Sequence, residues 1–326
     1  MIDTDKITRK KKITMLFSFY NEVEVLPELI SRVESVFTKL NYNLEMIFVN
    51  DDSTDGSLLF LKKQLNRNKN IKIINMSRRF GPPPCVMAGF KHSTGDALIY
   101  MDSDLQDPPE ILPQLIKKWE EGFDVVHTTR VKRKGESFIK LWFTKKAYSL
   151  INLFSEIEIL KNTGDFKLLS RKAINSVLSL NENDPFIRGL SIWIGFKQTQ
   201  VFYIREPRFI GQSKFPNHGI SITTIKEFLR GISSFSSVPL YLSLYLGFFV
   251  SFSSFSFLIY ILITRIFYDL HLPGWPALMA TNLFLGGTIL FSIGILGIYV
   301  GKIHQELKRR PKYIIKDKIG FKNIDN

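Results

Sequence analysis

Ala97-Leu98-Ile99-Tyr100-Met101-Asp102-Ser103-Asp104-Leu105-Gln106-Asp107-Pro108-Pro109-Glu110 joins an apolar run to an acidic turn. The first five residues read as a short buried strand. Asp102 and Asp104 follow it, separated by one residue, and a proline pair closes the turn. Oxygen ligands of this kind suit Mg²⁺ or Mn²⁺, which can bridge the two phosphates of a nucleotide diphosphate. A lone Asp-x-Asp is also an ordinary solvated turn. The strand before it and the prolines after it favour the site.

Working outward, the same strand-then-turn pattern repeats. Ile13–Phe19, Leu44–Asn50 and Ile71–Asn75 read as further buried strands, with helical patterns from about Val25 to Lys39 and from the Asp51 turn to about Asn66. Short apolar strands alternating with helices predict an α/β domain with a mostly parallel sheet, its functional groups at the carboxyl ends of the strands. The turn Asn50-Asp51-Asp52-Ser53-Thr54-Asp55-Gly56 lies at such an end. A carboxylate there suits a base or ribose, whereas Ser53 or Thr54 suits a helix N-cap. Cys85 is the one cysteine, so no intrachain disulfide forms, and a packed thiol is expected rather than a nucleophile.

The last third differs. Val238–Thr264 and Ala277–Val300 are apolar over 27 and 24 residues, beyond the ~20 that cross a bilayer core. Lys214, Lys226 and Arg230 precede the pair; Lys302, Lys308, Arg309 and Arg310 follow it. Basic flanks on both sides place both ends in the cytoplasm. Met1–Lys12 is polar and basic, so no signal peptide is expected there. Residues 1–218 are then a cytoplasmic catalytic domain. Residues 219–237 are an amphipathic interfacial helix or a helix packed on the domain. Residues 238–301 are two spans with a short external loop, and 302–326 a basic tail facing anionic headgroups. The net charge of +14 fits a membrane surface and phosphorylated substrates. No nucleic-acid-binding motif accompanies it, and nucleic acid is not expected as a partner.

Ordered motifs then add a resemblance. Ser18-Phe19-Tyr20-Asn21-Glu22, the Asp51 turn, Asp102–Pro108, Asn162–Leu168, Arg188-Gly189-Leu190, Arg205–Lys214 and Arg309–Tyr313 resemble the polyisoprenyl-phosphate branch of the inverting family-2 glycosyltransferases. That branch includes dolichol-phosphate mannose synthase and the bactoprenol glucosyl transferases. The resemblance implies a glycosyltransferase A-type, Rossmann-like fold followed by two transmembrane helices. It places Tyr20, Glu22, Asp51 and Asp102 around the nucleotide, Asp104 and Gln106 on Mg²⁺ or Mn²⁺, and Asp165 as the catalytic aspartate. An N-cap for a helix over Lys167–Val177 is the plain alternative for Asp165. Arg130, Arg133, Arg205, Arg208 and Lys214 are candidates for the phosphate and acceptor charges, through the bidentate reach of guanidinium. A solvated basic loop is the alternative at Arg130–Lys134, and Glu136–Lys146 is a candidate lining for the acceptor groove.

Departures from the pattern are Ser18 in place of proline, Asn50 for aspartate, Asp52 for glycine, and Pro82-Pro83-Pro84 in what reads as a stiffened loop. Asp52 has to accept the turn geometry there. The activity expected is inverting transfer of a hexose, foremost glucose, from a UDP-sugar to polyisoprenyl (undecaprenyl) phosphate in a bacterial plasma membrane. The product would donate sugar to cell-envelope glycans. A processive polysaccharide synthase would carry more spans and a Gln-x-x-Arg-Trp motif, which is missing from the sequence. An inactive membrane adaptor would not need the intact acidic set. Two apolar spans suit anchoring; a homo-oligomer is left open.

Overall fold

A computed structural model describes residues 10–131, 163–207, 209, 236–268 and 274–321. In chain order the elements are β1 (Lys12–Phe19), α1 (Leu26–Phe37), β2 (Asn43–Asn50), α2 (Ser57–Arg67), β3 (Ile71–Met76), α3 (Pro82–His92) and β4 (Ala97–Tyr100). A 3₁₀ turn (Pro109–Ile111) leads into α4 (Leu112–Glu120). Then come β5 (Val125–Arg130), β6 (Thr163–Ser170), α5 (Arg171–Ser179), α6 (Ile187–Trp193), β7 (Gln198–Tyr203), α7 (Val238–Tyr268), α8 (Trp275–Leu307) and β8 (Ile315–Ile319).

The strands form one sheet in the order β7-β5-β6-β4-β1-β2-β3-β8. Its first-half strands, β1 to β4, run parallel. β6 is antiparallel to β4 and β5, and β8 is antiparallel to β3. The sheet is therefore mixed. The inner strands are near-continuous apolar runs because both faces are covered. Met15, Phe17, Met46, Phe48 and Ile99 pack beneath α1, α2 and α4. Leu16, Ile47, Val49, Leu98 and Leu169 pack beneath α3, α5 and α6. The second face is tight: a Cβ on Gly89 of α3 would lie 2.1 Å from a methyl of Leu16. A larger residue there forces α3 off the sheet, and overpacking of this kind costs about 1–3 kcal/mol.

Three local readings are corrected. The helix placed over Lys167–Val177 starts later, because Asp165 to Ser170 complete β6; Ser170 is the cap, accepting from the Ala173 N–H at 3.2 Å. Asp165 is thus a strand residue and not a cap. Pro82–Pro84 form the first turn of α3, where proline needs no N–H partner, so they are not a loop. Ser53 and Thr54 do not cap α2. Its N-cap is Gly56 at φ 89°, and the two hydroxyls face the loop after β1.

Both apolar runs are helical, over 31 and 33 residues. Val238–Ile261 and Thr281–Leu307 are long and apolar enough to cross a membrane, and neither is buried in the protein. The Tyr299 hydroxyl donates to the Ser236 carbonyl at 2.7 Å, holding the late part of α8 beside the start of α7. Past α8 the chain returns to the sheet, pairing Ile73 with Ile319 and Asn75 with Asp317. Of the amphipathic segment 219–237, only Ser236 and Ser237 fall among the described residues.

Candidate active site

The carboxyl ends of β1, β2 and β4 and the amino end of β6 meet on one rim. Two loops are laced together first. Asn21, at φ 55°, donates its N–H to Ser53 Oγ at 3.0 Å and accepts from the Thr54 N–H at 2.8 Å. Asp55 accepts from the N–H groups of Val23 and Ser57. Asp52 takes the left-handed conformation at φ 61° that the turn requires, a conformation aspartate accepts better than most residues. This lacing holds Tyr20, Glu22 and Asp51 side by side. The Arg79 guanidinium lies 4.0 Å over the Tyr20 ring. Asp51 is buried, and its two oxygens accept from the N–H groups of Phe80 and Gly81 at 2.7 and 2.9 Å. It therefore pins the entrance of α3.

The acidic turn after β4 brings carboxylates together. Asp102 accepts from the Tyr100 hydroxyl at 3.1 Å, and that hydroxyl also meets Ser18 Oγ at 3.1 Å. Ser18 thus contributes a polar contact. Burial, followed by the charges of Asp107, Asp165 and Asp104, pushes the Asp102 carboxyl up to about 7. Asp104 accepts from the Gln106 N–H at 3.2 Å. The Gln106 carbonyl accepts from the Glu206 N–H at 2.9 Å, tying the turn to the segment after β7.

Across the rim, Asp165 accepts from Arg188 of α6 at 2.8 Å. Burial raises its carboxyl, but Arg188 and then Lys167 outweigh this and hold it below the ordinary aspartate range. Asp107 is fully buried. It accepts from the Tyr203 hydroxyl and lies 3.8 Å from Arg130 and 3.5 Å from Arg205. Arg130 also donates to Tyr203 at 3.1 Å. A Cβ on Gly164 would stand 2.8 Å from the Arg130 guanidinium, so a larger residue there would push the tip of that arginine aside.

Residues 15–178 match glycosyl transferase family 2. The chain belongs to this family. An uncharacterized glycosyltransferase of Synechocystis sp. is 39% identical over 96% of this chain and 97% of its own. An uncharacterized glycosyltransferase of Bacillus subtilis, YkcC, is 37% identical over 97% of both. A prophage-derived bactoprenol glucosyl transferase of Shigella flexneri is 36% identical over 94% of this chain and 97% of that protein.

On this family-2 fold, the structure gathers Tyr20, Glu22, Asp51, Asp102, Asp104, Gln106 and Asp165 along one rim, with Arg130 and Arg205 converging on Asp107. Arg133, Arg208 and Lys214 lie outside the described residues, as does Glu136–Lys146. Three participants were not picked out as site residues from sequence. Arg188 was visible only inside the Arg188-Gly189-Leu190 motif. Asp107 was visible only as the end of the acidic turn. Tyr203 gave no signal, since it sits in a strand whose polar residues hide its period. Cys85 is buried and its thiol is pushed well up by burial, which leaves it inert.

Proposed function

We propose that this family-2 glycosyltransferase moves a hexose, foremost glucose, from a UDP-sugar to a polyisoprenyl phosphate with inversion. The observation that carries the reading is the meeting of Asp102, Asp104 and Asp165 with paired arginines on one rim, in a chain that also holds two membrane-length helices. The bactoprenol glucosyl transferase among its relatives supports the acceptor class.

Asp104 and the side-chain carbonyl of Gln106 would hold a divalent cation, with Asp102 toward the nucleotide. Among the described residues no cluster of three or more His, Cys, Asp or Glu forms a closed metal cage. Mg²⁺ does not require one, since one or two carboxylates with phosphate oxygens and water complete its shell. The burial and the neighbouring carboxylates that raise Asp102 fit such a cation. When bound, it neutralises charge on the departing diphosphate. Tyr20, Glu22 and Asp51 hold the base and ribose.

A phosphate oxygen of the acceptor attacks the anomeric carbon from the face opposite the donor oxygen. The new C–O bond forms as the bond to UDP breaks, and its electron pair leaves on the diphosphate. A phosphate monoester has its second pKa near ~6, so the acceptor is largely dianionic at neutral pH and needs no strong base. Asp165 instead orients the acceptor and offsets positive charge on the sugar ring. Arg130, Arg205 and the cations of 208–214 screen the repulsion between two phosphorylated substrates.

The α7–α8 hairpin spans the membrane with the catalytic domain and both termini on the cytoplasmic side. The test is direct. Purified protein with radiolabelled UDP-glucose, Mg²⁺ and undecaprenyl phosphate should give an organic-soluble labelled lipid. A long water-soluble polymer would identify a polysaccharide synthase. No product from any of a panel of nucleotide-sugars would identify an adaptor.

A further inference from the structure

The side chain of Lys167 is fully buried, although the neighbouring core positions of β6 are Phe166, Leu168 and Leu169. A buried ammonium is costly unless it is paired and hydrogen-bonded. Its position gives it a hydrogen bond and a carboxylate on the same face of its own strand. Lys167 and Asp165 are two residues apart on β6, so they share one face of the sheet. The Lys167 ammonium donates to Ser191 Oγ at 2.9 Å, and Ser191 is itself fully buried in α6. Ser191 in turn donates to the Arg188 carbonyl at 2.9 Å. The Arg188 guanidinium closes the loop on Asp165 at 2.8 Å. Two cations from two elements thus stand behind one carboxylate, joined through a single hydroxyl.

We propose that Lys167 and Ser191 are positioning residues that, with Arg188, keep the Asp165 carboxylate charged and in one orientation facing the sugar. Lys167 reaches no substrate; it acts through Asp165 and through the seat of α6. The inference rests on the catalytic reading of Asp165. Burial draws the Lys167 ammonium down to about 8, opposed by Asp165, which agrees with mutual dependence of the two groups.

The experiment uses the full chain in lipid nanodiscs with UDP-glucose and undecaprenyl phosphate. Lys167→Met keeps the volume and removes the charge. We expect kcat to fall about ten- to a hundredfold, the loss typical of a misplaced catalytic group, with donor KM and UDP affinity within about twofold of wild type. Lys167→Arg should recover most of kcat, since it restores charge without restoring shape. A structural filler would show the reverse, with the arginine worse than the methionine. Ser191→Ala, which removes one oxygen, carries the same test where Lys167→Met lowers the yield of folded protein. Its kcat should fall severalfold at unchanged UDP affinity. Wild-type kcat in both Lys167→Met and Ser191→Ala would overturn the inference and leave the transfer reading intact. Absence of labelled lipid with wild-type protein would overturn both.

Discussion

Two carboxylates sit at opposite ends of the strands that flank β1, and the protein treats them in opposite ways. Glu45, near the amino end of β2, is buried and fully supplied. It accepts from Thr14, from Lys72, and from both the N–H and the hydroxyl of Thr94. Burial pushes its carboxyl up, but these donors, Lys72 first, more than reverse it and leave it below the ordinary range. Asp102, past the carboxyl end of β4, is given the Tyr100 hydroxyl and the charges of three other aspartates. The difference separates structure from function. Donors gathered around a buried carboxylate hold strands together, whereas carboxylates gathered around one another suit the cation proposed for that rim.

The largest expected effect breaks the acidic rim. Asp104→Ala and Asp165→Ala should each cut transfer by about 10³-fold or more, measured as labelled lipid per folded molecule, with membrane insertion unchanged. Retained wild-type turnover in both would mean that the rim is misassigned. Next, Arg188→Ala should lower kcat by about 10²-fold, because Asp165 loses its direct partner; stopped assays at saturating donor check this.

The well-supplied end should answer in stability instead. Glu45→Ala strands Lys72 and the Thr94 N–H and should cost about 3–5 kcal/mol, read from urea denaturation. The kcat of the molecules that remain folded should stay near wild type. If Glu45→Ala impaired kcat as strongly as Asp165→Ala, the contrast between the two ends would fail.

The smallest effect concerns pH, where the two ends have opposite signs. The folded-state pKa of Glu45 is lowered, so its contribution is present above the ordinary value of 4.5 and is lost as pH falls through the folded value. The folded-state pKa of Asp102 is raised to about 7 from 3.8, so in metal-free protein stability declines as pH rises across that interval. Asp102→Asn should therefore raise the metal-free Tm by a few degrees at pH 8 and not at pH 4 (about 1 kcal/mol moves a domain of this size by ~2–4 °C). Mg²⁺ with UDP should erase the advantage. Calorimetry over the two pH values tests both signs.

The same contrast explains what the sequence disclosed. β1 to β4 were legible because each is buried on both faces and so reads as an apolar run. β5, with Val125-Val126-His127-Thr128-Thr129-Arg130, and β7, with Gln198-Thr199-Gln200-Val201-Phe202-Tyr203, were not. Their polar residues pair across strands, as His127 does with Gln198 and Thr129 with Gln200, and such pairs erase the apolar signal. β8 was read as part of a basic tail, since an edge strand of alternating exposure tolerates Lys316 and Lys318. In the site, the acidic turns showed because they are local. Asp165 was reached through resemblance, and its pairing with Arg188, like that of Asp107 with Arg130 and Arg205, depends on contacts between distant segments that no periodicity records.

The return of β8 beside β3 changes what the hydrophobic hairpin is to the domain. It is an insertion between two strands of one sheet and not an appendix to it. Severing the chain before Val238 to obtain a water-soluble enzyme would strip β3 of its neighbour and bare a row of unpaired N–H and C=O groups, an invitation to self-association. Supplying residues 312–321 as a separate peptide, or splicing them onto the shortened chain, should cap that row by strand addition and keep the fragment monomeric.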